Sequence, residues 1–363
     1  MIGRTNPGRS NSTLIISRRT LLTASIGTVA GVALAACGGE NEPTIVTPPG
    51  DAFIPEVIPT TIQIANGNIM ADAPLLVALE RGNFSAETLE PVLQRTDEQE
   101  LIDLLIQGGT EITLTSAGPA FFNALQGGHD LKIIGPVTMD VPPLSTPLIV
   151  ARERFDSGEI TSVADLRGGT VGIARAGFTE YLLGKTLEPE GLTLDDVRID
   201  LNSDRRLRTR LERGLIDAAM IAEPDATEAL FGGQAVVLSD QYLPGYTATF
   251  AMTTGGYLTE NAGTVSAFFN VIYRSCAEML ENGFNSPRNQ TIFQLYNGRE
   301  SSVLAQMRPY GCTETGAVDV DEVMGIQRFY LDRGMLNLTN EIAPDDFIDD
   351  ALAREAAESV FPA

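Results

Sequence analysis

The 363-residue chain contains no tryptophan, a single histidine and only three cysteines. One histidine excludes a polyhistidine metal site, and any His-assisted nucleophilic catalysis would depend on His129, which lies in no motif. The metalloprotease, CxxC, nucleophile-elbow and P-loop signatures are also absent. The sequence therefore gives no indication of an enzyme, a metal site or a cofactor.

Basic residues are scarce: 25 Lys and Arg stand against 48 Asp and Glu, for a formal net charge of −23. Such a surface repels the phosphates of nucleic acids instead of gathering them, which excludes a nucleic-acid-binding function. An acidic body also stays clear of anionic lipid headgroups and remains soluble.

No apolar run reaches the roughly 20 residues that a bilayer span requires. An uncharged run, Leu21–Ala36, follows Arg18 and Arg19 and ends directly before Cys37. This order resembles a bacterial twin-arginine lipoprotein signal, with a basic region, a short apolar region and small residues before the cut. The alternative, a transmembrane anchor, is disfavoured by the length of the run. We therefore expect residues 1–36 to be removed, Cys37 to carry a lipid, and the protein to work outside the cytoplasm, anchored to the membrane.

Residues 37–59 are rich in Pro, Gly, Glu and Thr without periodicity, which predicts a flexible tether. Beyond it only Cys276 and Cys312 remain, too few for a disulfide framework. These two could form one bridge or remain two buried thiols, and the sequence leaves both possibilities open.

From residue 60 onwards strand and helix patterns alternate with short connections. The first series predicts strands at 60–65, 89–93, 112–115 and 131–137, with helices at 73–81, 98–107 and 119–125. The second series predicts strands at 147–151, 170–174, 197–201, 218–222 and 235–238, with helices at 164–168, 179–187, 206–213 and 225–230. After a strand at 249–253 only helices follow, at 262–282, 289–295, 301–307, 320–331 and 351–360.

This alternation predicts an α/β fold with mostly parallel sheets in two domains. A chain that leaves the first domain, builds the second and returns would cross twice, near 140–145 and 244–251, and these crossings would form a hinge. We expect lobe I to comprise 60–143 and 248–363, and lobe II to comprise 144–247.

Three loops follow predicted strand ends, where open α/β sheets place their ligands. The candidate ligand-binding residues in them are Asn66, Asn68, Ser116, Gly118, Gly177, Phe178 and Thr179. A helix start exposes unpaired backbone N–H groups and can hold a carboxylate, sulfonate or phosphate. Simple capping by Ser116 and Thr179 is the alternative for each loop.

Glu223 and two aromatic residues complete the candidate site. Glu223 ends an apolar strand, so it could accept a hydrogen bond from a ligand or cap the helix that Pro224 begins. Most aromatic residues near the proposed cleft belong to the core, and we expect only Phe178 and Tyr246 to face the ligand.

Three segments resemble the nitrate/sulfonate/taurine type of substrate-binding proteins that serve ABC importers. They are APLLVALERGNF at 73–84, SVADLRGGTVG at 162–172, and ERGLIDAA at 212–219 followed by Glu223-Pro224. The resemblance implies a type II periplasmic-binding fold, with two lobes that close on a small molecule and present it to a membrane permease with its ATPase. It carries over Asn68, Ser116, Gly177, Phe178, Thr179 and Glu223 as cleft residues.

The sequence departs from this family at two points. Phe178 stands where the family often has a hydroxyl residue, which suggests a ligand with a flat or apolar part. The related pyrimidine-precursor branch usually has Trp in its first strand and a His where Asp72 stands here, so that branch is second choice.

We predict a monomeric, lipid-anchored solute-binding protein for a sulfonate- or taurine-like anion or an aromatic or heterocyclic nutrient. An enzyme on the same fold and a sensory lipoprotein are the alternatives.

Overall fold

The computed structural model describes residues 58–362 apart from 68 and 338. The predicted signal, the lipidation site Cys37, nearly all of the tether and the candidate ligand residue Asn68 lie outside the described residues.

Eleven strands are present in the described part of the chain. In chain order they are β1 (Thr60–Asn66), β2 (Leu89–Arg95), β3 (Ile112–Thr115), β4 (Leu131–Asp140), β5 (Leu148–Ala151), β6 (Thr170–Ile173), β7 (Arg198–Leu201), β8 (Ala218–Met220), β9 (Ala235–Ser239), β10 (Thr247–Thr254) and β11 (Tyr310–Gly311).

The α-helices of the same region cover the faces of the sheets. They are α1 (Ala73–Arg81), α2 (Glu98–Ile106), α3 (Pro119–Gln126), α4 (Arg152–Asp156), α5 (Phe178–Leu187), α6 (Asp204–Glu212), α7 (Asp225–Phe231), α8 (Gly255–Glu260), α9 (Ala262–Asn282), α10 (Pro287–Asn297), α11 (Ser301–Leu304), α12 (Val320–Asp332) and α13 (Ala351–Val360). The segment predicted as a helix at 164–168 is a short 3-10 turn, Val163–Leu166.

The strands form two sheets, as the α/β prediction requires. The first has the order β11-β4-β10-β3-β1-β2 and the second the order β7-β6-β8-β5-β9. β1 is parallel to β2 and β3, and β6 is parallel to β7 and β8.

The expectation of mostly parallel sheets needs a correction, because both sheets are mixed. β10 is antiparallel to β3 and β4, and β5 is antiparallel to β8 and β9. Both are the first strands after the chain changes sheets, so neither is reached through the helical crossover that makes sheet neighbours parallel.

Helix α1 shows how local sequence sets an element. Pro74 stands in its first turn, where a missing N–H costs no hydrogen bond, and Gly82 ends it with φ of 73°. Its residues 73–78 are all buried, because the helix packs between the first sheet and α9 and α10. The helix therefore fixes the position of the loop that follows β1.

The prediction that only helices follow β10 is wrong at one point. The two-residue strand β11 pairs antiparallel with the end of β4, joining Tyr310 to Asp140. Two residues are too few for any periodicity to reveal a strand.

The structure pairs Cys276 with Cys312, with Cα atoms 5.9 Å apart, and so selects the bridge over two free thiols. The bridge ties the buried face of α9 to the residue that follows β11.

The chain changes sheets between Asp140 and Leu148 and returns between Ser239 and Thr247. The two connections meet at Asp140, whose buried carboxylate accepts hydrogen bonds from Ser145 Oγ and from Tyr246 OH, both at 2.6 Å. Burial raises the pKa of Asp140, against the effect of these bonds. One side-chain network thus joins both connections at one place.

Candidate ligand-binding site

A cavity of about 360 Å³ lies between the two sheets. Its wall is formed by residues that follow the carboxyl ends of β3, β6 and β8, together with Tyr246 before β10 and Tyr310 of β11. This is where open α/β sheets bind ligands, and the volume is within the range of small-molecule sites.

Two helices begin at this cavity, α3 from the first sheet and α5 from the second. Their N-cap residues are Gly118 and Gly177, and neither helix has a side-chain cap. Ser116 lies before the cap of α3, and Thr179 is the second residue of α5, so the capping alternative does not describe either hydroxyl. Ser116, Gly118, Phe178 and Thr179 all line the cavity. Pro119 has no N–H, and the N–H groups of Gly118 and Phe121 donate to Ser116 O and Gly118 O. The start of α3 therefore offers the Ala120 N–H, and the start of α5 offers its first N–H groups with the partial positive charge of the helix.

Gly177 allows the starts of α3 and α5 to approach each other. It has φ of 97°, and a Cβ there would lie 3.0 Å from Pro119 Cδ. Only glycine combines that conformation with that contact. Gly177 thus serves the site through its backbone and does not itself line the cavity.

Arg175 and Asp204 line the cavity and were missed by the sequence reasoning. Arg175 follows β6, and Asp204 is the first residue of α6. The pKa of Asp204 is raised to about 6, because burial and, less strongly, the charge of Asp225 outweigh the lowering by the Ala222 N–H and by the charge of Arg175. The sequence signal for Arg175 was its position two residues after a buried strand. Asp204 had no such signal, because only the tertiary fold brings it to the cavity.

Glu223 lines the cavity, but its carboxylate is held by the protein. It accepts hydrogen bonds from Thr227 Oγ at 2.9 Å, from Thr227 N at 3.1 Å and from Arg308 N at 3.2 Å. Burial raises its pKa despite these bonds. The bonds from Thr227 hold the start of α7, and the bond from Arg308 ties Glu223 to the segment before β11. A ligand contact of Glu223 stays a prediction.

The predicted aromatic pair lies in the cavity wall. Phe178 contacts Tyr246 edge to face at 5.7 Å between ring centroids, and stacks on Tyr181 at 6.2 Å. Phe121 and Tyr310 also line the cavity, although they were not predicted to face a ligand. The wall therefore has an aromatic part beside the helix starts.

Asn66 does not line the cavity. It is fully buried, and its amide donates a 2.7 Å hydrogen bond to Asp72 Oδ2. The first predicted loop thus contributes a residue that holds the turn after β1, because a buried amide needs a polar partner.

The single histidine, His129, does not line the cavity either. His129 is exposed on the connection after α3. Within the described residues, no group of three or more His, Cys, Asp or Glu could hold a metal ion. None of the helices described combines the length and apolar character needed to cross a membrane.

Solved structures with the same architecture define the class of protein. The alkanesulfonate-binding protein SsuA of Xanthomonas axonopodis pv. citri, solved with bound MOPS, has a TM-score of 0.66 at 17% identity, covering 81% of this chain and 99% of that one. The nitrate-binding protein NrtA of Synechocystis PCC 6803 has a TM-score of 0.66 at 13% identity, covering 83% and 89%. The fold is that of the periplasmic binding proteins, as predicted.

Sequence similarity shows the family to which the chain belongs. The NMT1/THI5-like family matches residues 70–284, more than half of the chain, so the protein belongs to that family. An Escherichia coli (strain K12) protein described as an aliphatic sulfonates-binding protein is 25% identical over 166 residues, 46% of this chain and 50% of that relative. The match thus spans half the length of that relative.

The same fold also occurs in an enzyme. The desulfurization enzyme DSZB has a TM-score of 0.58 at 17% identity, covering 83% of this chain and 99% of the enzyme. The fold alone does not separate binding from catalysis, so that choice depends on the residues of the cavity.

Proposed function

We propose that the protein is an extracytoplasmic solute-binding protein that captures a small organosulfonate-like anion and delivers it to an ABC importer. The observation that carries the proposal is the meeting of Arg175 with the starts of α3 and α5 at one cavity. The relatives that bind sulfonates and nitrate support it.

The polar part of the cavity suits an anionic head group. The start of α5 and the Ala120 N–H of α3 supply backbone donors, and Ser116 and Thr179 supply hydroxyls. Arg175 supplies a positive charge, which also acts on the Asp204 carboxyl in the same wall. A sulfonate has three oxygen acceptors and a single delocalised charge, so it can use several donors at once.

The rest of the wall suits an apolar body. Phe178, Tyr246, Phe121 and Ile102 line the same cavity. An inorganic anion such as nitrate would leave this part without contact, whereas an alkyl or aromatic group would fill it. We therefore favour an organic sulfonate, with taurine-like and aromatic or heterocyclic anions in the same class.

Capture would involve closure of two lobes about the connections that meet at Asp140. We propose 60–143 with 248–363 as lobe I and 144–247 as lobe II. In the arrangement described above the start of α5 already lies against Pro119 of α3, and we take it as the closed form that a permease with its ATPase would accept. The lipid at Cys37 and the tether to residue 59 would keep a monomeric receptor near that permease.

The enzyme alternative would need a reactive group at the cavity. The cysteines Cys276 and Cys312 are joined to each other, and His129 is exposed away from the wall. These positions favour binding as the function.

Native mass spectrometry of freshly purified protein, followed by incubation with the ligand found, tests the proposal. We expect one small organic anion per chain, released unchanged. A neutral or cationic ligand would contradict the assignment of the head-group site, and conversion of the ligand to a product would contradict the binding function.

A further inference from the structure

Helix α6 carries a row of arginines on its outer side. Its buried side holds Leu207 and Leu211. The outer side of α6, with one residue before the helix and its C-cap residue, forms the α6 arginine face, composed of Asn202, Arg205, Arg206, Thr209, Arg210 and Arg213. The spacing of three and four residues places these side chains on one side of the helix, where with Leu215 they line a surface groove of about 430 Å³.

Part of this positive charge has no acidic partner in the described protein. Arg210 Nε donates to Asp200 Oδ2 at 2.7 Å. Arg205, Arg206 and Arg213 are exposed, and no described carboxylate lies within 4.0 Å of any of them. A chain of net charge −23 thus concentrates three unpaired cations on one helix.

Apolar surface borders the same face. Leu201 is 55% exposed and Leu215 is 56% exposed, and they flank the arginine face in the sequence. A groove with cations inside and leucines beside it fits a protein segment with acidic and apolar side chains. A membrane surface is a poorer match, because the site is concave and the strongly acidic body would be repelled by anionic lipids.

The arginine face also begins at the ligand cavity. Asp204, the first residue of α6, lines that cavity, and Arg205 is the next residue. A partner bound along α6 would therefore contact the same helix that contacts the ligand.

We propose that the α6 arginine face is a docking surface for an acidic, partly apolar segment of a partner protein. This proposal rests on the proposed function: the partner is the permease, which would contact lobe II at the α6 arginine face.

The test uses a synthetic helical peptide with glutamates and leucines spaced to match the face, labelled for fluorescence anisotropy. The full chain binds it in low salt, and the triple variant Arg205→Glu, Arg206→Glu, Arg213→Glu loses affinity by roughly tenfold or more, as expected for reversed charges at an interface. The matched control Arg152→Glu, Arg288→Glu, Arg328→Glu makes the same change in net charge at other exposed arginines and keeps peptide affinity.

Equal peptide affinity in the two triple variants would overturn the proposal. So would binding to phosphatidylglycerol-containing vesicles that depends on the α6 arginines while peptide binding does not. Calorimetric affinity for the cavity ligand is measured on the same variants. Unchanged ligand affinity with lost peptide binding separates this surface from the cavity, and absence of any anionic ligand would defeat the proposed function without altering the peptide result.

Discussion

Glycine defines the candidate site at the level of single residues. Gly118 and Gly177 occupy the N-caps of α3 and α5, where a Ser, Thr or Asp side chain would normally accept hydrogen bonds from the helix start. Without such a side chain the first N–H groups of α5 can bind an anion, whereas α3, which begins with Pro119, contributes the Ala120 N–H. The hydroxyls of Ser116 and Thr179 add to them from the cavity wall.

Gly177→Ala should weaken ligand binding, because the added Cβ would lie 3.0 Å from Pro119 Cδ and push α5 away from α3. The backbone strain should also cost about 1–3 kcal/mol of stability. Calorimetric titration and thermal unfolding measure the two effects. Gly191→Ala is the control, since it introduces strain at φ of 66° but meets nothing within 4 Å. Equal ligand affinity in both variants would show that the contact with Pro119 does not matter.

Glu322 should make stability depend on pH. Its carboxylate accepts a 2.9 Å hydrogen bond from Thr247 N. Its pKa is raised to about 7, because burial and, less strongly, the charge of Asp319 outweigh the lowering by the bonds from Thr247. The folded protein therefore retains a proton that the unfolded chain loses near 4.5. The stabilisation is complete below pH 4.5 and is lost as pH rises through about 7.

Glu322→Gln should remove this part of the pH dependence, which is on the order of 1–3 kcal/mol between pH 5 and 8. Urea unfolding at both pH values measures it, with exposed Glu260→Gln as control. An unaltered difference between pH 5 and pH 8 in Glu322→Gln would rule out Glu322 as its source.

At the level of elements, the sequence predicts most of the chain because burial imposes clear periodicities. β3 at Ile112–Thr115 and α9 at Ala262–Asn282 have the predicted bounds. Strand direction was not predictable, since an antiparallel strand buried on both faces, such as β10, reads like a parallel one.

The candidate site was predictable only in part, for a related reason. Loops that follow strands can be recognised locally, so the sequence places Ser116, Phe178 and Thr179 in loops that line the cavity, and their contact with a ligand stays a prediction. Tyr310 reaches the cavity from β11, an element too short to recognise. Asn66 does not line the cavity, because its buried amide donates to Asp72, a contact that the sequence does not reveal.

The Cys276–Cys312 bridge should stabilise the C-terminal helices. The sequence separation is 36 residues, and closing such a loop restricts the unfolded chain by about 4 kcal/mol. The double variant Cys276→Ala, Cys312→Ala should lose about that much in urea unfolding and keep ligand affinity, because neither cysteine lines the cavity. If the wild-type protein is unfolded without reductant and both Cys276 and Cys312 titrate as free thiols, the bridge is contradicted.

At the level of the whole molecule, the protein has an acidic body with a cavity between two sheets, and its sequence predicts a lipid anchor. Confinement near the membrane would favour delivery to a permease, and the acidic surface would keep the body off the lipid. The family and the fold are shown by the comparisons, whereas the lipid anchor and the delivery to a permease stay predictions.

Cys37→Ser should release the protein from membranes without changing its ligand affinity, because the lipid would have no attachment point. Membrane fractionation followed by immunoblotting measures release, and calorimetry measures affinity. A variant that stays in the membrane fraction would mean that the apolar run at 21–36 is the anchor and that the lipoprotein interpretation is wrong.

The central claim is that the cavity holds an organic anion through Arg175 and two helix starts. Calorimetric titration with a linear alkanesulfonate tests it on the native chain, on Arg175→Met and on the exposed control Arg198→Met. We predict one molecule bound per chain, a loss of about tenfold or more in Arg175→Met, and no change in Arg198→Met. Equal affinity of Arg175→Met and the native protein would contradict the claim.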